Sequence, residues 1–323
     1  MTRQKLKPYG IAVLLIVLYA VELFLLAPIL QRYIGMWASF GVEVLLAVTA
    51  VVVFVCFRGK LKVIFPFKKP KLAKFAGTFV LWLGTLLLAM LVTMVIAYFF
   101  PQQIYGASES TGAAMAGLPI GLSLFLMALT PAICEEMAFR GALFSCFRSA
   151  PSRWIGLVAV SVIFAAFHGS VWRMLTITIL GLGLGYVLME TENMFYNMFF
   201  HFINNAVPVL LIGIMGGIYK NTGTSDMWSA ASDQLQSTGL PLGTLGAYLM
   251  YGSAIPFLLY IGNYLLHKGQ PGYDRGLFPR EKKKTLLIMV CIGMGILFVG
   301  FLLFMISSVG VLRGIFGGLH GMS

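Results

Sequence analysis

Two carboxylates and a guanidinium stand together inside an apolar run of this chain, in Cys134-Glu135-Glu136-Met137-Ala138-Phe139-Arg140-Gly141. A second apolar run ends in Phe164-Ala165-Ala166-Phe167-His168, and a third contains His201-Phe202-Ile203-Asn204-Asn205. Ionisable groups are expensive in hydrocarbon, so each of them marks a place where pairing or chemistry offsets the expense. Carboxyl and imidazole groups trade protons in general acid–base catalysis, can ligate zinc, and carry protons in ion-coupled carriers.

Helical geometry divides the roles. Glu136 and Arg140 are i and i+4 on one face and can form an ion pair, whereas Glu135 points about 100° away, above Phe139. Phe164 and His168 share a face, as do His201 and Asn205. Of the four histidines, His267 falls at a helix end and His320 in the C-terminal tail. At a rise of ~1.5 Å per residue, Glu135 lies roughly 20 Å from the turn near Arg148, His168 roughly 22 Å from Arg153, and His201 roughly 12 Å from Asn193. All three depths fit within a hydrocarbon core about 30 Å thick.

The elements that must position these groups are membrane helices. The chain has 323 residues, 59% hydrophobic and only 11% charged, about half the charged fraction of a soluble domain. Its mean hydropathy is +0.90. Apolar runs lie at about Tyr9 to Leu30, Gly35 to Phe57, Phe75 to Phe100, Leu118 to Phe147, Trp154 to His168, Trp172 to Met189, Met194 to Ile218, Pro241 to Leu266 and Thr285 to Val311. Most reach the roughly 18 residues of a spanning helix, while membrane strands would show ~10-residue alternating segments. The fold expected is an all-α polytopic transmembrane bundle of about 8–9 spans, with helices of residues 1–117, a core of 118–218, and an outer loop with further helices in 219–323. Soluble enzymes, membrane β-barrels, secreted disulfide scaffolds and nucleic-acid modules are excluded.

With the N-terminus in the cytoplasm, most of the 23 Lys and Arg fall in inner loops, as the positive-inside rule requires. The net charge of +12 then reflects orientation and contact with anionic lipid. The stretch Gly59 to Lys74 mixes Val63, Ile64, Phe65 and Phe67 with basic residues, and reads either as lying on the inner leaflet or as a solvated loop. Gly181 and Gly185 form a GxxxG step that permits close helix contact. The polar outer stretch Asn221 to Gly239 is a connector or a cover for an entrance. Cys56, Cys134, Cys146 and Cys291 lack metal-ligand spacing and read as small core residues.

The three patterns, in this order, resemble those of the CPBP intramembrane proteases, the relatives of the CAAX prenyl endopeptidase also called Abi proteins. Glu135, Glu136 and Arg140 match Glu-Glu-x-x-x-Arg, Phe164 and His168 match Phe-x-x-x-His, and His201 and Asn205 match His-x-x-x-Asn/Asp, over about Leu118 to Ile218. The resemblance implies peptide-bond hydrolysis in the membrane. Glu135 with His168 would activate water, His201 with Asn205 would stabilise the oxyanion, and Glu136 with Arg140 and Phe164 would support the site. The peptide or membrane-protein substrate is not identified, and a bacterial plasma membrane is the expected location. Because the chain has no His-Glu-x-x-His helix, a metal-free, glutamate-dependent mechanism is expected, with zinc as the minority alternative.

Two rival readings stand beside this one. A non-catalytic scaffold or regulator could retain the same residues as a polar core. A proton-coupled transporter could use Glu22 and Glu43, which lie at similar depth in the first two runs.

Overall fold

The computed structural model describes residues 8–106, 118–222, 233–235 and 237–320, and every regular element among them is helical. Helices bond their own backbone groups, the requirement a bilayer imposes on any open segment. In chain order they are α1 (Pro8–Ile34), α2 (Trp37–Cys56), α3 (Leu72–Phe99), α4 (Ile120–Leu143), α5 (Arg153–Phe167), α6 (Val171–Thr191), α7 (Met194–Gly216), α8 (Leu242–His267) and α9 (Arg280–Val309). Eight are long and apolar enough to cross a membrane, and they make this an integral membrane protein. All nine apolar runs of the sequence are helical. The fifth departs from a full span, since the 15 residues of α5 reach only about 22 Å. The basic residues before Pro8 and most of the stretch Asn221 to Gly239 lie outside the described residues.

Lipid is as apolar as leucine, so close packing rather than burial from water holds such helices together. The GxxxG step does this for α6: a Cβ on Gly181 would lie 3.1 Å from Ser161 Cα of α5, and one on Gly185 would overlap Leu157. Gly77 of α3 and Gly262 of α8 give a second close seam, where an added Cβ would meet backbone nitrogen at 2.7 Å. The main core surrounds α4, with Leu15 and Tyr19 of α1, Leu46 and Ala50 of α2, and Phe164 of α5 packed about Phe139 and Leu143. Cys134 and Cys146 are buried as expected, whereas Cys56 and Cys291 are exposed on outward helix faces.

The segment between α2 and α3 is not the solvated loop that is one of the two expectations for Gly59 to Lys74. It is a strap docked onto the helix ends. Ile64 and Phe65 are buried, and a Cβ on Gly141 would come within 2.6 Å of the Phe65 ring. Polar contacts pin the same segment: Met194 N donates to Pro66 O at 2.9 Å, Asn193 Nδ2 to Lys68 O at 2.9 Å, Lys71 N to Tyr196 Oη at 2.6 Å and Arg148 Nη2 to Val63 O at 2.6 Å. Lys68 pairs with Glu192 at 2.7 Å. The apolar residues of the strap therefore serve the protein core, while Val63 and Phe67 stay exposed beside its lysines.

Candidate active site

The site is built on an irregular helix. In α4 the hydrogen bonding widens to i→i+5 over Phe125–Leu129 and again over Glu136–Leu143, a local expansion frequent at functional sites. Pro131 lies just beyond the first expansion and has no N–H to offer the Met127 carbonyl four residues earlier. Asn205 of α7 brings a donor to that carbonyl, Nδ2 to Met127 O at 3.2 Å. The amide oxygen of Asn205 accepts from Asn204 at 3.2 Å, which leaves one further amide hydrogen by count.

Glu136 occupies the centre of a buried charge cluster. Its Oε1 is 3.1 Å from Arg140 Nη1, with the two side chains 0% and 1% exposed, so the expected i,i+4 ion pair forms. The contact is one of charge, because neither terminal nitrogen of Arg140 has an aligned hydrogen-bond acceptor. The guanidinium also lies over Phe164, with Cζ 3.9 Å from the ring centroid, a contact worth up to about 2 kcal/mol when desolvated. Phe164 is therefore support for Arg140 as well as for the histidines, whose rings it meets edge-on at 4.7 Å for His168 and 6.1 Å for His201.

Glu136 has a second role that helical phase did not disclose. His201 Nδ1 donates to its Oε1 at 2.9 Å, and Asn197, one turn earlier on α7, donates to its Oε2 at 3.4 Å and to Leu184 O at 2.7 Å. A carboxylate facing a guanidinium can only accept, so the hydrogen is on Nδ1 and the tautomer is set. The other nitrogen, Nε2, faces Glu135 Oε2 at 3.7 Å, longer than a hydrogen bond. Asn197 was missed by the sequence reading. Its signal was an Asn-x-x-x-His step, with both residues on one face of α7.

His168 is the residue that caps the C-terminus of α5, directly after Phe167. Gly169, at φ +68°, takes the left-handed conformation that ends a helix, and the amides of His168 and Gly169 close the final turn on Ala165 O and Ala166 O at 3.2 Å each. The His168 Nδ1 donates to Phe164 O at 2.8 Å. Since a carbonyl has no proton to give, Nε2 of the neutral ring is left as a lone-pair base. His168, Glu135 and His201 lie within electrostatic reach of one another. The depths estimated from sequence differ because the helical rise of α4 ends by Ser145 and the chain turns from Cys146. Glu135 is thus roughly 15 Å from its turn and His201 roughly 10 Å from Met194, and the modest difference lets them meet.

A carboxyl from outside the three motifs joins them. Glu43 of α2 is 9% exposed, and its carboxyl lies beside that of Glu135 where α2 packs on α4. Glu22 goes elsewhere and accepts from Thr49 Oγ1, six residues or about 9 Å along α2 from Glu43. The two carboxyls read from sequence as a proton-carrying pair therefore have separate partners. Among the described residues, no three His, Cys, Asp or Glu side chains form a metal-holding group. His168 and His201 each commit Nδ1 to an oxygen, Phe164 O and Glu136 Oε1, and keep Nε2 without a hydrogen bond.

No curated protein and no solved structure matches the chain. Residues 117–207, the segment holding Glu135, His168 and His201, match the family model described as Rce1-like, type II CAAX prenyl endopeptidase, and this bears out the resemblance read from the three motifs in the part of the chain that carries them.

Proposed function

We propose that this protein is an intramembrane endopeptidase that hydrolyses a peptide bond of a membrane-associated peptide or protein, of CAAX type by its likeness to the matched family. The observation that carries this reading is the convergence of Glu135, His168 and His201 inside the helix bundle, beside the neutralised pair Glu136–Arg140. Water attacks the carbonyl carbon as its proton passes to the Glu135 carboxylate, and the bare Nε2 of His168 holds the water for attack. A C–O bond forms, and the carbonyl oxygen becomes an oxyanion. His201 donates from Nδ1 to Glu136, and as the imidazolium it also offers an Nε2 proton to that oxyanion, together with the remaining amide hydrogen of Asn205. One such donor is worth roughly 3 to 4 kcal/mol in acyl transfer. The C–N bond then breaks as Glu135 returns its proton to the leaving nitrogen.

No step runs through a metal. Glu136, Arg140 and Phe164 hold the reacting groups without touching the substrate. The basic strap and the α8–α9 connection would face an anionic inner leaflet, with the N-terminus cytoplasmic and a bacterial plasma membrane as the location. The test compares membranes from cells making the wild-type protein, the Glu135→Gln variant or neither, by sequencing the termini of membrane peptides and proteins. Uncleaved precursors should accumulate equally in the variant and in cells lacking the protein. Identical termini in wild-type and Glu135→Gln membranes would overturn the assignment.

A further inference from the structure

We propose that Glu43 is a positioning residue for the reaction: a proton shared between its carboxyl and that of Glu135 fixes the rotation of the Glu135 side chain and aims its second oxygen at the reacting water. The inference rests on the reading of Glu135 as the base. Glu43 belongs to α2, outside the segment that matches the family model, and α2 packs directly against the part of α4 that carries Glu135.

The argument is one of donors and acceptors. An ionised carboxylate only accepts, so a hydrogen bond between two carboxyl groups needs a proton on one of them. Two carboxylates in contact also cannot both stay ionised. The pair Glu43–Glu135 therefore carries one proton when Glu135 acts as a base. Glu43 Oε2 and Glu135 Oε2 are both buried and have no hydrogen-bond partner, so a shared proton would satisfy a carboxyl pair that is otherwise short of donors. The charged and titratable groups around the pair are few: His201 Nε2 at 3.7 Å from Glu135 Oε2, His168 and Arg140 within electrostatic reach of Glu135, and the Cys134 thiol beside both carboxyls. None of these donates to Glu135 in a hydrogen bond, which leaves Glu43 as the group that orients it. A free carboxylate would turn about its last bond and spread its two oxygens over several directions. One held by Glu43 presents Oε2 toward His201, where a scissile carbonyl and its attacking water must fit.

The experiment pairs Glu43→Gln with Glu43→Leu. Glutamine keeps an N–H donor for the Glu135 carboxylate, whereas leucine has about the same size and none. Misplacing a reacting group by about 1 Å can lower turnover about 100-fold. Glu43→Leu is accordingly expected to lose on the order of 100-fold in kcat with KM within about twofold of wild type, and Glu43→Gln to recover most of that loss. Equal kcat in all three proteins, or equal loss in the two variants, would overturn the proposal.

Infrared spectroscopy at neutral pH tests the contact without any turnover. The wild type minus Glu43→Gln difference should contain a protonated-carboxyl C=O band, and that band should change frequency in a Glu135→Gln background. An unchanged frequency would show that the two groups do not touch, even if Glu43→Leu failed to fold. Retained cleavage by Glu135→Gln would instead remove the proposed base and leave the infrared result to decide the contact.

Discussion

Glu136→Gln tests how the buried cluster is held. In the wild type one oxygen, Oε1 of Glu136, faces Arg140 Nη1 at 3.1 Å and His201 Nδ1 at 2.9 Å, and Arg140 is 1% exposed. The single carbonyl oxygen of glutamine can take the place of only one of the two acceptor oxygens, so the bond from His201 or from Asn197 falls to neutral strength and the other is lost against the amide NH2. Arg140 fares worse, because its charge stays buried without a counter-ion. Breaking a buried pair from one side costs about 3–5 kcal/mol, a large part of a total folding stability of about 5–15 kcal/mol. The expected fall in Tm is on the order of 10 °C.

The assay is tryptophan-monitored thermal unfolding in detergent of four proteins: wild type, Glu136→Gln, Arg140→Met and the double variant. The double variant leaves neither charge of the pair buried and should be more stable than the sum of the single losses by about 2–3 kcal/mol. Wild-type Tm in Glu136→Gln, or simple additivity in the cycle, would refute the reasoning. Cleavage by Glu136→Gln should also fall, since the His201 ring loses its charged anchor.

Glu135→Gln should do the opposite, abolishing cleavage at near wild-type Tm. Gly141→Val should lower Tm by an amount matching about 1–3 kcal/mol, because a side chain there overlaps the Phe65 ring of the strap; Gly141→Val paired with Phe65→Leu should recover part of the loss. Lys68 holds the Glu192 carboxyl below its ordinary value of 4.5, chiefly by its hydrogen bond and then by its charge. A depressed carboxyl stabilises above the unfolded value and loses that effect as pH falls through the folded one. Glu192→Gln should therefore lower Tm slightly at pH 7 and not at about pH 3, by no more than about 1 kcal/mol for so exposed a pair. Strong chelators should leave cleavage intact, and purified active protein should carry no stoichiometric zinc by elemental analysis. One zinc per chain, lost and restored together with activity, would reverse that expectation.

Much of the site was legible because the membrane makes polar residues conspicuous. Glu135, Glu136, Arg140, His168, His201 and Asn205 stand out against their apolar runs, and the 3.6-residue period alone pairs Glu136 with Arg140. What could not be read were contacts between helices distant in sequence. Helical phase places Glu136 beside Arg140, but it carries no information that a histidine 65 residues later meets the same oxygen. Glu43 was visible as a membrane carboxyl, yet its equal depth with Glu22 suggested the wrong partner, since depth fixes a height and leaves the facing direction open. The docking of the strap was hidden for a related reason: Ile64 and Phe65 have the composition of a leaflet-lying segment, and it takes their burial and the gap at Gly141 to show that these two face protein.

The Glu136–Arg140 pair has a consequence for biogenesis. Both charges belong to α4, so they can neutralise each other while that helix is still alone at the translocon, where a lone Asp, Lys or Arg at a helix centre weighs about 2.5–3.5 kcal/mol against insertion. The partners from α7 arrive later: Asn197 is 61 residues downstream of Glu136. At a synthesis rate of about 5–20 residues per second, that is a wait of roughly 3–12 s. During it, α4 must stay in the bilayer with no histidine or asparagine to satisfy it. An i,i+4 pair is the arrangement that lets a helix carrying Glu135, Glu136 and Arg140 enter before its partners and be completed afterwards. Exchanging the two side chains, Glu136→Arg together with Arg140→Glu, would preserve that neutrality while removing the acceptor for His201, so insertion and assembly are separable events encoded in the same two side chains.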